Sequence, residues 1–294
     1  MDQAKKAYQI KSPEGVEQYL QELLDEAYKE NMTMESADAV KEMIREDEDL
    51  LYYIQNMQNA IMPYSNPSLL PELFSQSFLY HVSKESLSGD FCWIEQFEDR
   101  IFIAAADCKQ HGVRGAMMSM ICASTLNRVL HEFNISDTGR MLDKAKELMM
   151  DIFQNSKSGK QYEINISLCC INKYTCVLEW SGANNNLFYV HNGIMEEMTG
   201  NKYPVGNLDS TFLYTKHKMY LSKGDMIYLF TDGFTNQIGG ERKEKLMCKC
   251  FQDMLIKIAP LEAQTQKEIL EGKFKAWKGD QEQTDDLLLI GVRL

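Results

Sequence analysis

Four aspartates, far apart in the chain, each border an apolar run with the length and composition of a buried strand. Ser88-Gly89-Asp90 opens Phe91-Cys92-Trp93-Ile94, and Asp107 closes Ile101-Phe102-Ile103-Ala104-Ala105-Ala106. Asp232, within Thr231-Asp232-Gly233, closes Met226-Ile227-Tyr228-Leu229-Phe230, and Asp285-Asp286 precede Leu287-Leu288-Leu289-Ile290. An unpaired charge is very costly in a low-dielectric interior, so carboxylates at the ends of such strands need a reason. A single Asp beside a Gly reads as a solvated turn residue. Four together read as a set gathered by a divalent cation, because hard ions such as Mg2+ and Mn2+ prefer oxygen ligands.

At 294 residues the chain accommodates one large domain, or one domain with a smaller extension. Its 44% hydrophobic and 25% charged content is that of an ordinary globular protein. The formal net charge of -12 argues against a nucleic-acid-binding surface and is compatible with a carboxylate cluster. No stretch of about 20 apolar residues suggests a membrane span, and the polar N-terminus lacks a signal-peptide core. Neither Cys169-Cys170 nor Cys248-Lys249-Cys250 has zinc-site spacing. Scattered free thiols fit a reducing cytoplasm, the expected location. Cys108, next to Asp107, shows no base partner and reads as structural rather than nucleophilic.

The chain is expected to divide near residue 62. Residues 1-62 hold 14 acidic and 6 basic side chains, a net of -8. Ser12 caps an expected helix with Pro13 at its first position, and Val16, Leu20, Leu23, Leu24 and Ala27 follow at helical spacing. A second helix from near Thr33 or Ser36 carries Met43, Leu50 and Met57 at seven-residue intervals. These helices read either as a dimerising pair or as packing on their own domain. Met62-Pro63-Tyr64-Ser65-Asn66-Pro67 then breaks the helix as a linker.

Beyond the linker, helices are expected over about twenty residues after Gly112 and over 138-155. Strands follow at 162-171, 174-182, 186-191, 194-198, 211-220 and 226-231, with Asn192-Gly193 as a hairpin turn. Helices at 241-257 and 261-278 precede a last strand at 286-293. This order predicts an α+β fold, a layered sandwich of antiparallel sheets with helices outside, rather than a doubly wound parallel sheet.

Several motifs then occur in order. They are Ile54-Gln55 through Ala60-Ile61-Met62-Pro63, Ser88-Gly89-Asp90-Phe91, and Asp107-Cys108-Lys109-Gln110-His111-Gly112-Val113-Arg114-Gly115-Ala116. Ser181-Gly182-Ala183-Asn184-Asn185, Pro204-Val205-Gly206, Lys223-Gly224-Asp225 with Thr231-Asp232-Gly233, and Trp277 through Asp285-Asp286 and Ile290-Gly291-Val292-Arg293 follow. From about Ile54 to Leu294 the chain resembles the SpoIIE-type serine/threonine phosphatases, the bacterial branch of the metal-dependent type 2C (PPM) protein phosphatases. Each motif alone is weak; the ordered set is specific.

The resemblance implies a four-layer sandwich of two antiparallel β-sheets flanked by helices, with an N-terminal helical extension. It assigns 1-62 as a regulatory or dimerising helical segment and 63-294 as the phosphatase domain. It implies two Mn2+ or Mg2+ ions, with Asp107 bridging them and the Cys108 backbone carbonyl beside it. Asp232 and Asp285 would hold one ion, and Asp90 would contribute to the other or to its water shell. Two such cations acidify a shared water for in-line attack on a phosphoserine or phosphothreonine. Asp286 is expected to cap or turn the chain, and Asp225 to shape the Gly224 turn. Lys109 and Arg114 are candidates for the substrate phosphate or are solvated charges. His111 is a candidate acid for the leaving oxygen, or a local hydrogen-bonding residue.

One residue departs from the family pattern. Gln110 stands where a Gly usually precedes the His-Gly pair. If that position needs a positive φ, Gln costs about 1 kcal/mol or more and distorts the loop presenting Asp107. The expected function is metal-dependent dephosphorylation of a partner protein in bacterial signalling, of which an anti-sigma-factor antagonist is the family's usual kind. The alternative is a catalytically silent module of the same fold that binds a regulatory phosphoprotein.

Overall fold

A strand buried on both faces reads as an unbroken apolar run, and its period-2 alternation assigns each side chain to one cover or the other. The computed structural model describes residues 49-58, 60, 69-153, 162-206 and 212-294, and its strands follow this rule. One antiparallel sheet has the spatial order β2 (Phe91–Phe97), β3 (Arg100–Cys108), β4 (Ile164–Asn172), β5 (Val177–Ala183) and β8 (His217–Tyr220). The other runs β1 (Ser77–Val82), β12 (Leu287–Arg293), β9 (Met226–Phe230), β6 (Leu187–His191) and β7 (Ile194–Met198).

Three cores separate four layers. Between the sheets lie Ile101, Ile103 and Ala105 of β3, with Ile227 and Leu229 of β9 and Leu288, Ile290 and Val292 of β12. The alternate residues Phe102, Ala104 and Ala106 face α3 (Gly112–His131) and α4 (Thr138–Phe153), whose Leu126, Val129, Met141 and Leu142 cover the first sheet. On the far side, Tyr228, Leu287 and Leu289 meet α6 (Cys248–Ile258) and α7 (Ala263–Lys278) through Phe251, Leu255, Leu270 and Phe274. The sandwich of two antiparallel sheets with helices outside is therefore as expected.

Two expected elements differ. The helix expected from 241 starts only at Cys248; a hairpin of β10 (Ile238–Gly239) and β11 (Glu244–Lys245) precedes it. Left-handed φ values at Gly240 (67°) and Lys243 (53°) break any helix there. The strand expected over 211-220 is confined to His217–Tyr220.

Most of the expected N-terminal helices lies outside the described residues. Within them, 49-58 form a helix, α1, and Leu69–Leu73 form α2. Ile54 of α1 is buried against Leu87 and Ala116, a contact that contributes on the order of 2 kcal/mol. Among the described residues no helix is long and apolar enough to cross a membrane.

Candidate active site

Extending the inward alternation of each strand by one step turns the inter-sheet core polar. Cys92 and Ile94 lead back to Asp90, and Ile103 and Ala105 lead on to Asp107. Ile227 and Leu229 lead to Thr231, and Ile290 and Leu288 lead back to Asp286. All five strand ends concerned, with Asn165 directly opposite Asp107 in the β3–β4 register, meet at one end of the sandwich. Asp90 and Asp107 come from one sheet, and Asp232 and Asp285 flank β9 and β12 of the other.

Neutral donors hold the inner carboxylates. The Thr231 hydroxyl donates to Asp90 Oδ2 at 2.5 Å and accepts the Leu288 N–H at 2.9 Å. Asn165 Nδ2 donates to Asp107 Oδ2, and Asn184 Nδ2 donates to Asn165 Oδ1, both at 2.9 Å. Asn184 takes a left-handed φ of 49° to reach this position. Its neighbour Asn185 donates to the Phe230 carbonyl at 2.8 Å, next to the Thr231-Asp232 turn. The Ser181-Gly182-Ala183-Asn184-Asn185 motif thus supports the carboxylates from one layer behind.

Burial falls from the inside out. Asp90 is 2% exposed, Asp107 and Asp285 are intermediate and Asp232 is exposed. Burial, reinforced by the nearby Asp107 charge, raises the Asp90 pKa, against the opposing Thr231 hydrogen bond. Burial and the Asp232 charge lift Asp107 to about 7, although Asn165 and Lys109 oppose the shift. Burial and the Asp232 charge also raise Asp285. Carboxyl groups crowded until they resist ionising are compensated by a cation. All are oxygen donors, which suits Mg2+ or Mn2+. Among the described residues no three His, Cys, Asp or Glu side chains close on one point. The all-oxygen donor set suits an ion of the Mg2+ type, which keeps several waters and takes one or two carboxylates directly.

The remaining sequence candidates lie around this cluster. His111 caps α3 with its side chain partly exposed, Nδ1 standing 3.7 Å from Asp285 Oδ1. Lys109 is paired with Glu163 at 2.7 Å, while Arg114 is exposed on the first turn of α3. Cys108 is buried, and burial pushes its thiol well above the usual range, as in a structural cysteine. Its carbonyl accepts the Gln110 N–H at 2.5 Å, and its N–H donates to the Gly89 carbonyl at 3.4 Å. A Cβ at Gly89 would sit 2.7 Å from the Cys108 carbonyl oxygen, so the two motif loops abut through that glycine.

Gln110 itself does not take a positive φ, contrary to the concern its identity raised; the left-handed residue in this loop is Gly112, at 61°. The loop is built without the strain expected of a Gly-to-Gln change. Asp225 lies apart, accepting from Tyr189 Oη at 2.6 Å and the Ser222 N–H at 2.7 Å, as a turn-shaping residue would.

Sequence reasoning missed four neighbours of the cluster. Asn165 and Thr231 were legible only as polar residues at the ends of apolar strands. His81, with Nε2 3.0 Å from Ser88 Oγ, carried no spacing signal. Asp286 is more than a turn residue: its oxygens accept the Lys84 and Gly89 N–H groups at 2.7 and 2.8 Å.

Comparison with known proteins agrees with this fold. The fold is similar to the SiaA-PP2C domain of Pseudomonas aeruginosa, with a TM-score of 0.75 and 25% identity over 85% of this chain and 98% of that one. It is also similar to the PP2C phosphatase domain of SpoIIE from Bacillus subtilis, with a TM-score of 0.60, 16% identity, and 74% and 61% of the two chains covered. RsbX in complex with magnesium matches at a TM-score of 0.52 and 14% identity, over 74% of this chain and 94% of that one. No curated protein matches the chain in sequence. The family model for Stage II sporulation protein E (SpoIIE) matches residues 98–294. The chain belongs to the SpoIIE family of metal-dependent serine/threonine protein phosphatases.

Proposed function

We propose that the chain removes phosphate from phosphoserine or phosphothreonine on a partner protein in bacterial signalling, acting in the cytoplasm through two Mn2+ or Mg2+ ions. The observation that carries this reading is the meeting of Asp90, Asp107, Asp232 and Asp285 at one end of the sandwich, each inner one charge-coupled to the next. Asp107 would hold both ions with the Cys108 carbonyl beside it, Asp232 and Asp285 would hold one ion, and Asp90 would contribute to the other or to its water shell. When bound, such a pair acidifies a shared water and offsets charge on the attacking and leaving oxygens.

The chain's own groups supply the rest. Thr231 and Asn165 fix the inner carboxylate oxygens, so that Asp90 and Asp107 are oriented before substrate arrives. His111, 3.7 Å from Asp285 at the rim, would hand a proton to the leaving serine oxygen. Arg114, exposed on α3, is the better candidate for the substrate phosphate, because Lys109 already holds Glu163. Lys109 instead contributes positive charge near Asp107.

Residues 1-62 are assigned to regulation, and 63-294 to the phosphatase domain. In support, Gln58 of α1 donates to the carbonyl of Ser88, two residues before Asp90, at 2.7 Å and to Ser119 Oγ at 3.0 Å. Beside this buried stripe α1 leaves Leu50, Tyr53 and Met57 exposed, which supports self-association through this segment. The partner's identity is taken as a phosphorylated regulator of the anti-sigma-factor-antagonist kind.

The test is hydrolysis of an aryl phosphate and of a phosphoserine peptide with and without Mn2+, with Asp232→Asn as control. Mn2+-dependent turnover of both, reduced at least 100-fold in the variant, is expected. Absent turnover in the unmodified chain would favour the silent binding module instead, and metal-independent turnover would overturn the two-ion reading.

A further inference from the structure

Strand β1 is the edge of its sheet, paired with β12 alone among the described residues. Just outside the ladder, the Arg293 N–H donates to the Gln76 carbonyl at 2.9 Å. Antiparallel pairing alternates, so Phe78, Tyr80 and Val82 turn their backbone groups toward β12, while Ser77 and Leu79 turn theirs outward. Among the described residues no hydrogen bond takes the Leu79 N–H or carbonyl.

Beside this edge, α7 presents Lys267, Glu271, Lys275 and Lys278 along one face, and the groove between them has a volume of about 510 Å³. The helix rises roughly 16 Å from Lys267 to Lys278, and a strand of six residues spans roughly 20 Å, so wall and edge match in length. Three ammonium groups face one carboxylate, in a chain whose formal net charge is -12. Glu271 lies 3.9 Å from Lys267, and Lys278 donates to the Gln281 carbonyl at 2.9 Å. Lys275 is exposed and, among the described residues, unpaired.

The groove also leads to the candidate active site. Gln283 lines one end and donates both to the Val82 carbonyl, at 2.9 Å, and to the Asp285 carbonyl, at 2.7 Å.

We propose that β1 is a docking edge for an extended acidic segment of the protein substrate. The segment adds as a further strand on Leu79, and its carboxylates meet Lys275 and Lys267 across the groove. The partner's being a substrate rests on the phosphatase reading; the strand addition does not. Edges left open invite pairing between copies, but two copies meeting at β1 would bring two lysine rows together. The charge therefore selects an acidic guest over a second copy of this chain.

The test uses the full chain and a fluorescent peptide of four Glu-Val repeats, with a Lys-Val peptide as control, followed by anisotropy and amide hydrogen exchange. Saturable binding of the acidic peptide alone is expected, with at least 10-fold slower exchange at Leu79. Lys275→Glu should weaken it at least 5-fold, and Lys275→Arg should restore it. Turnover of an aryl phosphate should be unchanged in Lys275→Glu, while kcat/KM on the phosphoprotein substrate falls. Unchanged Leu79 exchange, equal binding of both peptides, or Leu79 protection that rises with protein concentration alone overturns the proposal. An unmodified chain that fails to hydrolyse aryl phosphate contradicts the phosphatase reading and leaves the peptide result standing.

Discussion

The side chain of Asp286 accepts the backbone N–H of Gly89 at 2.8 Å, across 197 residues of sequence, and that of Lys84 at 2.7 Å. The last strand of the domain thereby fixes the loop that presents Asp90. Asp286→Ala would strand the buried Gly89 N–H and the half-buried Lys84 N–H, and each such loss costs up to about 1–3 kcal/mol. Urea denaturation should therefore show a loss of about 2–4 kcal/mol, together with loss of turnover. Asp285→Ala in metal-free protein should behave differently in stability. It removes a carboxyl that Asp232 repels, which offsets the lost acceptor of the Asp286 N–H, and should leave the midpoint close to unchanged.

Stability of the metal-free chain should fall with rising pH. The folded-state pKa values of Asp90, Asp107 and Asp285 are all raised, Asp107 to about 7. Between the ordinary carboxyl range and that value the folded state binds more protons than the unfolded one, so stability declines as pH rises toward about 7. Thermal melts in chelator should give a higher Tm at pH 5 than at pH 8. Added Mn2+ should recover the difference at pH 8, where the carboxylates are free to bind it.

Asn165→Ala tests the support behind the cluster. The change removes the donor to Asp107 and leaves Asn184 without its acceptor. Supporting residues of this kind are worth about 10–100-fold in metal affinity or activity. Mn2+ titration of turnover should show a rightward shift of that size, with the unfolding free energy lowered by only about 1 kcal/mol.

Gln110→Gly should bring no gain. Because Gln110 occupies ordinary backbone space, glycine there adds only unfolded-state freedom, worth about 0.5–1 kcal/mol of destabilisation. Unchanged or slightly reduced turnover, with a lower denaturation midpoint, is the expected pairing.

The carboxylate set was legible in the sequence because burial polices strand interiors. An Asp beside Phe91-Cys92-Trp93-Ile94 or after Ile101 to Ala106 stands out against its run, and the alternation that buries Ile103 and Ala105 also aims Asp107 inward. Asn165 and Thr231 escaped notice because an amide or hydroxyl at a strand end is common, and only the register opposite Asp107 gives Asn165 its role. Asp286 was read as a turn residue because its partners lie some 200 residues away, beyond any local pattern. The β10–β11 hairpin was read as helix because its polar, charged sequence lacks strand alternation; Gly240 and Lys243 in left-handed conformations decide it. The concern over Gln110 assumed that family spacing fixes which residue turns left-handed. Here Gly112 does so.

Calorimetric titration of Mn2+ into the metal-free chain tests the central claim most directly, since the catalytic roles assigned above depend on the carboxylates holding cations. The account predicts saturable binding near two ions per chain, abolished or strongly weakened by Asp107→Asn in a protein that remains folded by circular dichroism. Absence of binding, or binding that Asp107→Asn leaves untouched, would contradict it.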